Sequence, residues 1–163
     1  MSDAIVIGIS DYNTSRSPNI LVTYALGSCV GISLYDDHTK IGGMSHIMLP
    51  DSSMIKDSAN VDRMRFADTA IADLVDAMVI LGADRNRITA KIAGGANMFA
   101  MGGDSVIARI GDRNVESVKA QLNSLGIPLL AEDTGADFGR TVFFELETGK
   151  IRVQSLGKNV REL

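Results

Sequence analysis

Apolar and polar residues change their rhythm twice along this chain. In the first part, residues 4–9, 20–25, 30–35 and 41–48 are apolar or alternating runs separated by turn residues, which is how strands read. In the third run Val30, Ile32 and Leu34 alternate with Gly31, Ser33 and Tyr35, the period-two signature of a half-buried strand. Residues 36–40, DDHTK, form a turn, and residues 50–60, PDSSMIKDSAN, are polar and loop-like.

From residue 63 to 81 the period lengthens. Met64, Ala67, Ile71, Leu74, Val75 and Met78 fall at helical spacing, and Gly82 is placed to stop the helix. Met64 and Met78 on that stripe are expected in the core. A strand over 88–93 and a glycine-rich loop over 94–104 come next, the loop carrying Met98 and Met101. A second helix is predicted over about 114–125, with Val115, Val118, Leu122 and Leu125 on one face and Gly126 and Pro128 ending it. Runs over 127–131, 141–147 and 150–156 close the chain, the last two joined through Thr148-Gly149 as a hairpin. Without repeat or linker, the pattern predicts one strand-rich α+β domain over residues 1–163 with two helices.

Composition narrows the function classes. A net charge of −4 argues against nucleic-acid binding, which needs clustered positive charge. The single cysteine forms no internal bridge, so nothing points to an oxidising compartment. The apolar run over 4–9 is too short for a signal peptide or a membrane span. A cytoplasmic protein, monomeric by itself and not inserted in a membrane, is expected. Neither the cysteine nor the two histidines show metal-ligand spacing. The loop over 94–104 matches no phosphate-binding glycine pattern, so its glycines read as close-packing residues. No cofactor and no metal are expected.

The chemistry that stands out centres on Cys29, set in LGSCVG between small residues instead of inside an apolar run. His38 lies in the DDHTK turn and reads as solvated. His46 lies in GGMSHIM on a predicted strand; alone, it would read as a hydrogen-bonded structural group. A cysteine and a histidine on consecutive strands, however, are placed to meet. A free thiol titrates near ~8.5, and a histidine in reach can take its proton and stabilise the thiolate. Gly27 would let a substrate approach, and amide N–H groups near Cys29 would face an oxyanion. Thr23, six residues upstream, is placed to accept the second ring N–H; Asp36 and Asp37 stay open as orienting groups.

LGSCVGISLYD with its upstream Thr23, GGMSHIMLP, AKIAGGANMF, IGDRNV and GRTVFFELETGKIRV occur in one order over about residues 20–155. In that combination the chain resembles the CheD family, the chemoreceptor glutamine deamidases of bacterial and archaeal chemotaxis. The resemblance implies Cys29 as nucleophile, His46 as general base and Thr23 as its orienting group. It implies deamidation of glutamine side chains on methyl-accepting chemotaxis receptors through a thioester, and a CheC-type phosphatase as a second partner. The family is similar to the deamidating domain of cytotoxic necrotizing factor toxins, which implies β-sandwich-like sheets flanked by helices. One departure is the stretch over 133–140, DTGADFGR, where the family usually carries paired glycines. A non-catalytic adaptor that stimulates the phosphatase is the rival reading. A thiol redox sensor is weaker, because no resolving cysteine exists.

Overall fold

The computed structural model describes residues 2–54, 62–98, 109–155 and 157–163. The elements follow as β1 (Ala4–Val6), β2 (Asp11–Arg16), β3 (Ile20–Leu26), β4 (Val30–Asp36), β5 (Ile41–Ile47), α1 (Ala67–Leu81), β6 (Thr89–Gly94), α2 (Ile110–Ser124), β7 (Leu129–Thr134), β8 (Arg140–Glu145), β9 (Ile151–Ser155) and β10 (Arg161–Glu162). One sheet has the order β1-β3-β8-β9-β10 and the other β2-β5-β4-β6-β7. Both are mixed: β1 runs parallel to β3, β6 runs parallel to β7, and the other pairs are antiparallel.

The sheets stack face to face, and both helices cover the far side of the second sheet. The alternation of β4 explains this order. Val30, Ile32 and Leu34 pack with Ala67, Ile71 and Leu74 of α1 and Val118 and Leu122 of α2. Tyr35, Met44 and Ala93 turn the other way and meet Leu21, Leu26, Val142 and Phe144 of the first sheet. Tyr35 sits edge-on to Phe144 at 5.8 Å and its hydroxyl donates to the Leu146 carbonyl at 2.6 Å. The expected α+β sandwich with flanking helices is therefore present.

Several expectations change in detail. β4 is buried along its whole length, not half-buried. Its small second face, Gly31 and Ser33, packs beneath the first sheet instead of facing water. The same thinness explains Gly42 and Gly43 on β5: a Cβ would come within 2.3 Å of Leu146 on one side and 2.7 Å of Leu74 on the other. α1 begins at Ala67, since Phe66 is extended and bridges to Leu49. Met64 thus sits half-buried in the preceding turn, while Met78 is in the core. α2 begins four residues early, and Leu125 of its expected apolar face is exposed. β2, DYNTSR, lacks an apolar run and carries Asp and Asn, which strands disfavour; six consecutive pairings with β5 hold it. The short β10 carries no apolar signal. Residues 55–60 of the expected polar loop, residues 99–104 of the glycine-rich loop and Leu156 lie outside the described residues.

The departing stretch over 133–140 is tied down at its ends. Arg140 and Asp133 pair at 2.9 Å, both buried, and Arg161 reaches the other Asp133 oxygen at 3.0 Å. Between them Gly135 and Ala136 take left-handed conformations, with φ of 82° and 59°. That conformation costs an L-residue about 1–2 kcal/mol, partly offset because alanine loses less chain entropy than glycine on folding. Ala136→Gly should therefore stabilise the fold by roughly 0.5–1 kcal/mol, a rise in melting temperature of about 1–4 °C. An unchanged or lower melting temperature would show that the loop carries no such strain.

Candidate active site

The strand register places the chemistry at one end of the sandwich. His46 on β5 stands opposite Gly31 on β4, so the two share the face turned toward the first sheet. Cys29 lies in the bend just before β4, two residues ahead of Gly31, at the same end of the sheet as His46. Its side chain packs against the inter-sheet core. Thr23 comes from β3 in the first sheet, just before the irregularity between Thr23 and Leu26. Gly31 keeps the space between them clear. A Cβ there would press Leu26 at 3.1 Å and touch the Thr23 methyl at 3.4 Å.

Across that gap Thr23 Oγ1 and His46 Nδ1 are 2.7 Å apart, and Thr23 Oγ1 lies 2.8 Å from the Ile7 carbonyl. A carbonyl only accepts, and a hydroxyl has one proton. Thr23 therefore donates to Ile7 and accepts from His46. This settles the tautomer: Nδ1 carries the proton and Nε2 carries the lone pair. Nε2 is buried and has no hydrogen-bond partner among the described residues, which leaves it free to take a proton.

Burial pulls His46 down to about 4, so its imidazole is neutral at physiological pH. Burial pushes the half-buried Cys29 thiol up, against a smaller downward pull from its own backbone N–H. Desolvation thus works against a thiolate and an imidazolium at rest and favours the neutral thiol and the neutral imidazole. Such an arrangement suits a base that accepts the proton as the sulfur attacks.

The glycine-rich loop supports the segment around Cys29 from behind. Gly95 N–H donates to the Cys29 carbonyl at 2.8 Å and Ala96 N–H to the Gly27 carbonyl at 2.9 Å. Gly94, at φ 112°, must lack a side chain, because a Cβ would lie 2.2 Å from the Cys29 carbonyl oxygen. Close packing is what these glycines do. Gly27 faces Met98, which with Met48 is an exposed apolar side chain. Asn114, absent from the sequence-based site, is fully buried and donates to the carbonyls of Ser28 and Met48. Its signal was the block IGDRNV, whose glycine and asparagine weaken the helical pattern that would have placed it inside α2.

The remaining polar candidates lie elsewhere. Asp36, at the far end of β4, accepts from Arg87 and from the Asp84 N–H. Burial pushes its carboxyl up, but these hydrogen bonds outweigh it and hold it well below the usual range. Asp37 pairs with Lys40, and His38 is exposed in the turn. None of them orients His46.

Full-length similarity to known proteins then decides the family. A protein 47% identical across the whole of both chains occurs in Lachnoclostridium phytofermentans. Relatives in Moorella thermoacetica and Clostridium botulinum are 48% and 47% identical over 96% and 98% of this chain, and 93% and 97% of their own. Each is named "Probable chemoreceptor glutamine deamidase CheD". A family model described as "CheD chemotactic sensory transduction" matches residues 48–155. The chain belongs to the CheD family. Among CheD features, that match takes in the glycine-rich loop and Asn114 and begins just after His46. A solved structure, the Bacillus licheniformis hypothetical protein YfiH, aligns with a TM-score of 0.47 at 18% identity over 76% of this CheD chain and 50% of that one.

The buried base also makes a thermodynamic prediction. Unfolded His46 titrates near ~6.5 but folded His46 only near about 4. As pH falls through that window the unfolded chain binds a proton that the folded chain refuses, so stability is lost on acidification. Roughly 3 kcal/mol should disappear between pH about 6.5 and 4. Denaturant unfolding across that range should show the loss, and His46→Gln should flatten it. Equal losses in both proteins would mean that His46 is not titrated this way.

Proposed function

We propose that this CheD protein hydrolyses the carboxamide of glutamine side chains on methyl-accepting chemotaxis receptors, turning them into glutamates. The observation that carries the reading is the Nε2 lone pair of His46. The hydroxyl of Thr23, with its own proton committed to Ile7, leaves that lone pair at a strand end bearing the only thiol in the chain. The names of the relatives supply the substrate class.

The steps follow from those atoms. As the glutamine carbonyl carbon meets Cys29 Sγ, the thiol proton passes to His46 Nε2 and the S–C bond forms. The carbonyl oxygen becomes an oxyanion facing the Cys29 N–H. His46 returns the proton to the leaving nitrogen, the C–N bond breaks and ammonia departs, leaving a thioester. Water then gives a proton to Nε2 as its oxygen attacks the thioester carbon. Collapse breaks the C–S bond, the sulfur recovers its proton from Nε2, and the carboxylic acid released gives its remaining proton to water or ammonia, so glutamate leaves with a new negative charge. Thr23 holds the ring throughout, and His46 need never be charged before substrate arrives. Small flanks at Gly27 and the exposed apolar Met48 and Met98 suit a side chain that projects from a helical surface.

Support for a cytoplasmic setting comes from the lone thiol, and among the described residues no helix is long and apolar enough to cross a membrane. A CheC-type phosphatase would share the same entrance by resembling the receptor. Incubation with receptor cytoplasmic fragments should release ammonia and convert glutamine to glutamate, read by mass spectrometry. Cys29→Ala should abolish turnover yet keep the surface and any phosphatase binding. Thr23→Val should lower kcat about 10–100-fold, less than the full contribution of a general base. Tight phosphatase binding with no conversion of any receptor fragment would leave the adaptor in its place.

A further inference from the structure

We propose that Asn114 is a positioning residue for this reaction: by holding the Ser28 carbonyl it aims the Cys29 amide N–H at the oxyanion. The inference rests on the deamidase reading and adds a residue to it. Asn114 is fully buried in the second turn of α2, a place where asparagine is a poor helix former. Its two Nδ2 protons are both spent, on the Ser28 carbonyl at 2.8 Å and the Met48 carbonyl at 2.9 Å. Those carbonyls belong to the peptide just before the nucleophile and to the residue two past the base. One amide group thus ties the two reacting segments together.

The direction of the Cys29 N–H follows from peptide geometry. Ser17–Pro18 is the cis bond among the described residues, so Ser28–Cys29 is trans, with C=O and N–H lying in one rigid plane and pointing in opposite directions. Asn114 draws the Ser28 carbonyl toward α2, and the Cys29 N–H must then point away from the helix. The carbonyls on either side are held as well, Gly27 by Ala96 N–H and Cys29 by Gly95 N–H. α2 packs directly on that support: a Cβ on Gly111 would lie 2.3 Å from the Ala96 carbonyl oxygen. The plane of the Ser28–Cys29 peptide therefore has little freedom to turn. Oδ1 of Asn114 is buried without a partner among the described residues. The donor half of the amide is what the site uses.

The test sets two reactions of the same sulfur side by side. Alkylation by iodoacetamide displaces iodide from a saturated carbon, forming an S–C bond without an oxyanion. Deamidation needs the oxyanion donor. Asn114→Ala, and Asn114→Asp, which sets a carboxylate against two carbonyls, should lower kcat on a receptor fragment about 10²–10³-fold, the usual loss for one oxyanion donor. The alkylation rate of Cys29 and its pH profile should stay within about twofold of wild type. A parallel fall of both reactions, no fall in either, or loss of the folded state in both variants by circular dichroism would each overturn the proposal. Wild-type protein that converts no glutamine would instead sink the deamidase reading and this proposal with it. Active wild type with fully active Asn114 variants would sink the positioning role alone.

Discussion

One hydrogen bond joins the two sheets at the site, and the spacing of the sandwich decides whether it can exist. Thr23 belongs to one sheet and His46 to the other, and facing sheets pack about 10 Å apart. A threonine and an imidazole span that distance only if nothing else occupies it. Gly31 meets this demand near the start of β4, and Gly42 lets β5 lie close to the other sheet further along. Toward the other end Tyr35 and Phe144 fill the layer. Polar side chains thus meet between the sheets at the His46 end, and aromatic rings fill the layer at the Tyr35 end.

The electrostatics follow from the same enclosure. A surface histidine would be partly charged near neutrality, whereas burial keeps His46 neutral and its neighbours decide which nitrogen is the base. Among the described residues no carboxylate bonds the ring, so a protonated His46 would gain no counter-charge from its orienting group. The acidic groups of β4 are used elsewhere: Asp36 anchors Arg87 and the segment after α1. In the proposed reaction positioning and charge stabilisation would fall to different groups, the threonine directing the ring and the Cys29 amide meeting the oxyanion.

Much of this could be read before any coordinates, for a physical reason. Thiols and imidazoles are rare here, so Cys29 at the start of one apolar strand and His46 on the next are easy to relate. The apolar strands and both helices announce themselves through burial, which periodicity reports directly. What stayed hidden depends on partners distant in sequence. β2 is a strand because β5 pairs with it, not because DYNTSR favours one. β4 is buried on both faces because a second sheet lies over its glycine and serine. Asn114 reads as a surface residue near a helix start until the carbonyls of Ser28 and Met48, 86 and 66 residues away, are seen to need it.

The Ile7 carbonyl has a consequence beyond packing. It follows β1, a three-residue strand at the edge of its sheet, where only β3 holds it. Were that segment to peel away or slip along β3, the Thr23 hydroxyl would lose its acceptor and be free to turn its proton toward the ring. Nδ1 would then become the acceptor, the ring proton would move to Nε2, and the histidine would present a proton to the thiol instead of a lone pair. An edge strand more than twenty residues upstream of Cys29 thus helps to fix the tautomer of His46, and anything that pries at the amino-terminal segment would change which ring nitrogen carries the proton.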